Sequence, residues 1–279
     1  MSEQTLSSQT YWREVDVACR LAQEAGKLIL EYYDRTTKVS YKAGDEPVTE
    51  ADQAASDHIL AGLHEAFPDD VLVSEEEPDN PLRLESSRLW VIDPLDGTKE
   101  FIARNGEFSV MIGFVVGERP VVGVVYQPTR DRLWWAAHDQ AFLRIGGEQK
   151  SIKVAPTSDY AVMRMVVSRS HRNALVDQMA TRLGITQEIV SGSGGIKVGL
   201  IADGDAEVMF SPNPYTKIWD MCACDAILHA AGGKVTDLQG NLLVYRGEEV
   251  FNLKGVVASN GTRHEDMIQT VAGIYTPPV

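Results

Sequence analysis

The chain is short of cysteine, short of positive charge and free of long apolar runs, and each shortage removes a class of protein. Cys19, Cys222 and Cys224 are the three cysteines in 279 residues, with no CxxC pair. Reduced, partly buried thiols are therefore expected rather than a disulfide framework. Lys and Arg number 26 against 40 Asp and Glu, a formal charge of −14, which argues against a nucleic-acid polymer or an anionic membrane as partner. A small anionic substrate remains compatible, because bound cations or a few placed basic residues reverse the field locally. No window approaches the roughly 18 uninterrupted apolar residues of a membrane span. The polar N-terminal stretch MSEQTLSSQTYWRE lacks the apolar core of a secretory signal, so a cytoplasmic location is expected.

With 44% of its residues hydrophobic, the chain can bury a large core as one or two domains. Val17, Leu21 and Leu28 recur at helical spacing and predict a helix over Tyr11 to Tyr33. KVSYKAGDEPVTEAD reads as a loop leading to a second helix from Glu50 to Ala66, with Thr49 to Asp52 as a capping box. From Phe108 to Val154, short β-type runs separated by GER, PTRD and GGEQ predict an antiparallel meander. Strands and helices then alternate. The expected division is an N-terminal α+β part (1–154) and a C-terminal α/β part (155–279).

The stretch DPLDGTKEF (93–101) follows the apolar run LWVI. Asp93 and Asp96 stand where a strand meets a turn that Pro94 stiffens and Gly97 opens to close approach. Carboxylates gathered there repel one another unless a cation lies between them, and hard oxygen ligands suit Mg²⁺. Gly97 and Thr98 would offer N–H groups to the same phosphate. A plain pair of Asp turns is the simpler reading of these residues alone. Glu75, Glu76 and Glu77 end another β-type run, Asp220 opens a helix after Trp219, and Asp52 sits in the capping box. Each has a structural explanation, yet together they put acids at four element ends.

Four segments, PVTEAD (47–52), SEEE (74–77), WVIDPLDGTKEF (90–101) and IWDMCACDAILHAAGG (218–233), occur in the order found in the inositol monophosphatase-like superfamily, which the chain resembles over nearly its whole length. The resemblance implies an α/β fold, a layered α-β-α-β-α sandwich of the inositol monophosphatase and fructose-1,6-bisphosphatase type. It implies a Mg²⁺-dependent, lithium-sensitive phosphomonoesterase using two or three ions and no covalent intermediate. It assigns metal binding to Glu75, Asp93, Asp96, Asp220 and the Leu95 carbonyl, with Glu76 as the substitute for Glu75. Thr98 and Glu75 would orient the attacking water; Asp52 would bind a further, weaker ion or help deprotonate that water. DPLDGT is also loosely similar to the DxDGT signature of phosphatases with a nucleophilic Asp, but there the acids are two apart and here three.

Within the superfamily, Lys99-Glu100 and the run from Lys217 are similar to the 3′(2′),5′-bisphosphate nucleotidase branch, associated with sulfur assimilation, which converts adenosine 3′,5′-bisphosphate to AMP and phosphate. Substrate contacts are expected at Asp96, Gly97, Thr98, Asp220, Ser170 and His171 in SRSHR (168–172), and Ser193 and Lys197 in SGSGGIK (191–197). Lys197 would meet the non-reacting 5′-phosphate. Tyr32, Trp134 and Trp135 are read as core, and Cys222 and Cys224 as packing, since thiols are poor Mg²⁺ ligands. Inositol monophosphatase or sugar-bisphosphatase specificity is the alternative, and a non-catalytic binding protein is the reading from another class. The loop KAGDEP (42–47) is a candidate lid, and a homodimer is common among relatives.

Overall fold

Successive strand residues point to opposite faces of a sheet, and the apolar runs of this chain divide accordingly. Leu89 and Val91 pack on one side and Trp90 and Ile92 on the other; Trp134 and Ala136 are separated in the same way from Leu133 and Trp135. Both faces of one sheet are thus covered. The computed structural model describes residues 11–35, 39–41 and 47–278.

The first half runs α1 (Trp12–Tyr33), β1 (Val39–Tyr41), β2 (Pro47–Thr49), α2 (Glu50–Ala66), β3 (Val71–Ser74), β4 (Arg88–Asp96), α3 (Thr98–Ile102), β5 (Ser109–Val116), β6 (Arg119–Gln127), β7 (Arg132–Ala137), β8 (Gln140–Ile145) and β9 (Glu148–Ser151). It continues with β10 (Arg164–Ser168), α4 (Ala174–Leu183), β11 (Gln187–Ser191), α5 (Gly194–Ala202), β12 (Val208–Ser211), α6 (Ile218–Ala230), β13 (Lys234–Thr236), β14 (Val256–Ser259) and α7 (His264–Val271). Strands β3 to β9 form a seven-stranded sheet in chain order, with β3 parallel to β4 and the rest antiparallel. A mixed five-stranded sheet has the order β11-β10-β12-β14-β13.

Three apolar clusters stack these elements into five layers. Helices α1 and α2 cover one face of the large sheet through Leu21, Ile29, Ile59 and Leu63. Its other face meets α5 and α6, whose far side lies on Val166, Met209 and Val256 of the small sheet. Helices α4 and α7 close the stack through Met179, Leu183 and Met267. This is the expected α-β-α-β-α order, and Val91 and Met111 share a core with Ile196 and Met221 from beyond residue 154. Trp134 and Trp135 are buried, as are Cys222 and Cys224. Among the described residues no helix is long and apolar enough to cross a membrane.

One expectation needs correction. The stretch read as an unbroken loop contains β1 and β2, paired antiparallel from Val39 opposite Thr49 to Tyr41 opposite Pro47. Val39, Tyr41, Val48 and Thr49 favour extended backbone, which outweighs the turn signals between them. Residues 42–46 of the candidate lid lie outside the described residues.

Helix α6 is buried almost all round, from Ile218 to Leu228. It seats on Gly113 and Gly123, which face each other across β5 and β6. A Cβ on Gly113 would lie 2.5 Å from the Cys222 sulfur, and one on Gly123 2.2 Å from the Ala223 carbonyl oxygen. Side chains cannot occupy that space, so the two glycines form a trough that lets the helix approach. The Gly123→Ala variant must displace helix backbone, and is expected to lose about 1–3 kcal/mol of stability. Chemical denaturation measures this; a stability equal to the parent would show that α6 does not seat as closely as the coordinates give.

Candidate active site

Three acids from different elements meet at one end of the large sheet. In the parallel pair β3–β4, Ser74 stands opposite Ile92, and the ladder extends one residue further because Glu75 N–H donates to the Ile92 carbonyl at 3.1 Å. Glu75 is thereby held beside Asp93. The antiparallel register between β4 and β5 is broken between Asp93 and Asp96, and Leu95 N–H donates to Asp93 Oδ1 at 3.1 Å. Asp220 arrives in the first turn of α6, where its Oδ2 accepts the Lys217 N–H at 2.6 Å. Oxygens of Glu75, Asp93 and Asp220 all lie within 4.8 Å of one another.

The electrostatics follow from that crowding. Burial, then the charges of Glu75, Asp96, Asp220 and Asp52, push the Asp93 carboxyl well above the usual carboxylate range. Burial and Glu75 do the same to Asp220, against the opposing Lys217 hydrogen bond. Such a set of hard oxygen donors is costly as bare charges and suits a divalent cation. The donors present therefore fit a divalent metal ion, which Glu75, Asp93 and Asp220 could hold between them.

Asp52 and Thr98 stand next to this trio. The capping box of α2 occupies Asp52 Oδ2, which accepts the Thr49 N–H at 2.8 Å and the Thr49 hydroxyl at 2.6 Å. That leaves Oδ1 facing Thr98, whose hydroxyl donates to it at 3.0 Å and also lies 3.3 Å from the Leu95 carbonyl. Asp52 is raised by burial despite the Thr49 and Thr98 hydrogen bonds. Gly97 makes the turn before α3 with φ of 98°, a conformation that favours glycine.

Asp96 is tied differently. Its Oδ2 accepts Gly195 N–H at 2.8 Å and the Ser193 hydroxyl, with the Ser109 hydroxyl at 3.5 Å. The first turn of α5 is thus strapped to the acidic turn. The Ser193 hydroxyl is also 2.8 Å from that of Ser109 and accepts Ile196 N–H at 3.1 Å, so its hydrogen-bonding capacity is spent within the protein. Lys197 lies one turn along α5, half-buried, and among the described residues no hydrogen bond or ion pair holds its ammonium. Burial lowers its pKa, opposed by the charges of Asp96, Glu100 and Asp220.

Ser170 and His171 lie in the turn after β10. The Ser170 hydroxyl donates to Glu100, and His171 Nε2 is 2.8 Å from Lys99 Nζ. Glu100, Ser109 and Lys217 are neighbours of these residues to which the sequence reading gave no role of their own, although Glu100 and Lys217 fall in segments it quoted for the resemblance. Glu100 is 3% exposed and packs against Gly192, where a Cβ would come 2.3 Å from its Cγ. Ser109 and Lys217 carry no motif of their own. The position of Lys217 directly before the Trp-Asp helix was the available signal.

The sequence matches the inositol monophosphatase family over residues 12–275. It is 40% identical over 240 residues to the 3′(2′),5′-bisphosphate nucleotidase CysQ of Escherichia coli K12, covering 85% of this chain and 96% of the relative. The 3′(2′),5′-bisphosphate nucleotidase 1 of Dictyostelium discoideum is 29% identical, with 92% and 96% covered. Among solved structures, CysQ from Bacteroides thetaiotaomicron superposes with a TM-score of 0.76 at 32% identity, over 90% of this chain and 98% of that one. The Thermotoga maritima IMPase shares the fold with a TM-score of 0.80 at 23% identity, covering 94% and 98%.

The raised acids give the metal-free protein a signed pH dependence. Their protonated forms fit the fold better, so that stability is complete below the unfolded pKa of about 4 and is lost as pH rises through the raised values. Metal-free protein is expected to melt at a lower temperature near about pH 8 than near about pH 5, and Asp93→Asn should flatten that decline. Thermal unfolding in chelator measures it. Identical pH profiles for parent and variant would mean that Asp93 carries no such penalty.

Proposed function

The chain belongs to the inositol monophosphatase family, in its 3′(2′),5′-bisphosphate nucleotidase branch, and on that footing we propose that it hydrolyses the 3′-phosphate of adenosine 3′,5′-bisphosphate to AMP and phosphate. The observation that carries the mechanism is the meeting of Glu75, Asp93 and Asp220 within 4.8 Å, with the Asp52–Thr98 hydrogen bond beside them. Glu75, Asp93, Asp220 and the Leu95 carbonyl would hold Mg²⁺, with Asp96 as a further ligand and two or three ions in all. Bound there, the metal would supply Lewis-acid activation of water and neutralisation of the leaving oxygen.

The remaining work falls to the protein. Thr98 donates a hydrogen bond to Asp52 Oδ1, which leaves its oxygen lone pairs to accept from the attacking water, and Glu75 fixes that water from the other side. As the water's proton passes to the Thr98 oxygen, the Thr98 proton passes on to Asp52. Asp52, with its basicity raised by burial, takes the proton. Gly97 and Thr98 offer N–H groups to the transferring phosphate, where fixed donors stabilise developing charge without reorganising.

A second phosphate on the substrate explains Lys197. A half-buried ammonium with no carboxylate in contact is costly unless an anion meets it, and the 5′-phosphate supplies one. Ser170 and His171 line the approach to it; Ser193 acts by holding α5 to Asp96.

The test is phosphate release in Mg²⁺ from adenosine 3′,5′-bisphosphate, inositol 1-phosphate and fructose 1,6-bisphosphate. A kcat/KM for the nucleotide at least about tenfold above the others is expected. Lys197→Ala should raise KM for the nucleotide and leave inositol 1-phosphate turnover nearly unchanged. Preference for inositol or sugar phosphate would overturn the substrate assignment, and no Mg²⁺-dependent release from any of them would overturn the enzymatic one.

A further inference from the structure

Lys217 touches two of the three converging acids by two different routes. Its backbone N–H donates to Asp220 Oδ2 at 2.6 Å, and its Nζ lies 3.8 Å from Glu75 Oε1. The ammonium also stands over the Trp219 ring at 5.4 Å and the Phe251 ring at 5.7 Å. Its side chain is only 13% exposed. The backbone is pinned as well: Lys217 bridges Phe251, and its carbonyl accepts the Asn252 amide at 3.1 Å. The ammonium is therefore held at the rim of the acid cluster by rings that favour a cation.

We propose that Lys217 is the resident counter-cation of the metal centre, lowering its affinity for divalent ions. The inference rests on the reading that Glu75, Asp93 and Asp220 hold metal. One positive charge fixed beside Glu75 offsets part of the repulsion among the acids. The same charge repels an arriving divalent ion across a short, poorly screened distance. An uncharged residue of the same length would leave the acids more strongly attractive to metal.

The sign of this effect separates it from structural damage, because a loosened site binds metal less well. Lys217→Met keeps the apolar stem between the two rings and leaves the backbone hydrogen bond to Asp220 in place. Mn²⁺ titration of the metal-free full chain by calorimetry should give affinity about three- to tenfold tighter than the parent. The gain should shrink as ionic strength rises. Lys217→Arg, which keeps the charge, should bind within about twofold of the parent. Glu75→Gln, measured alongside, should bind more weakly. Unchanged or weaker binding by Lys217→Met, while Glu75→Gln is weakened, overturns the role of Lys217 alone. Binding by Glu75→Gln equal to the parent overturns the metal assignment beneath it.

Discussion

Mutual repulsion among carboxylates gathered around the buried Asp93 is the constraint around which this molecule is arranged. Glu75, Asp93 and Asp220 converge within 4.8 Å, and such an arrangement persists only if the backbone carrying each acid is fixed by something other than the acids. Each is. Glu75 extends the β3–β4 ladder, Asp93 stands just before the register break in β4, a strand buried on both faces, and Asp220 sits on a helix seated in a glycine trough. Apolar burial, worth on the order of 25 cal/mol per Å², supplies the energy that holds like charges together. The site is strained electrostatically because the core is not strained sterically.

The two halves of the chain meet through the same logic. Helix α6 is buried almost all round, so its fit is set largely by shape, through Gly113 and Gly123, with the buried Asp225 held to Arg119 at 2.8 Å. Helix α5 is aligned by polarity instead: Gly195 N–H and Ser193 both reach Asp96. One acid of the DPLDGT turn thus does structural duty across the crevice. Exposed pairs such as Arg169–Glu107 at 2.7 Å join the same edges, but ion pairs of that exposure contribute little, about 0–1 kcal/mol.

Much of this was legible from the residues. The α-β-α-β-α order, the meander and the helix bounds follow from periodicity and from the family resemblance. The Thr49–Asp52 capping box was visible in four letters and is formed. What the box does for Asp52 was not visible: it consumes one carboxylate oxygen and turns the other to Thr98. The β1–β2 pair escaped because three-residue strands carry too little pattern to outweigh an intervening Gly and Asp and a Pro that opens the second strand. Glu100 and Lys217 escaped for a different reason. Each acts through a side chain that bends towards a residue distant in sequence, Ser170 in one case and Glu75 in the other, and no local spacing encodes such a contact.

The division between acids and crevice residues separates the chemistry from the choice of substrate. Glu75 follows a strand end, and Asp52, Thr98 and Asp220 sit in first helical turns, where a displacement of an ångström is resisted by the whole core. Ser170 and His171 sit instead on the turn between β10 and α4, and Lys99 and Lys197 on α3 and α5, with the Ser170–Glu100 and His171–Lys99 contacts tying the turn to α3. On the proposed reading, substitution there would change which anion is held without moving Glu75, Asp93 or Asp220. Glu100 is the exception, since it is buried against Gly192 while bonded to Ser170. A change at Glu100 disturbs packing and crevice at once, so the rigid centre limits how far the crevice can vary.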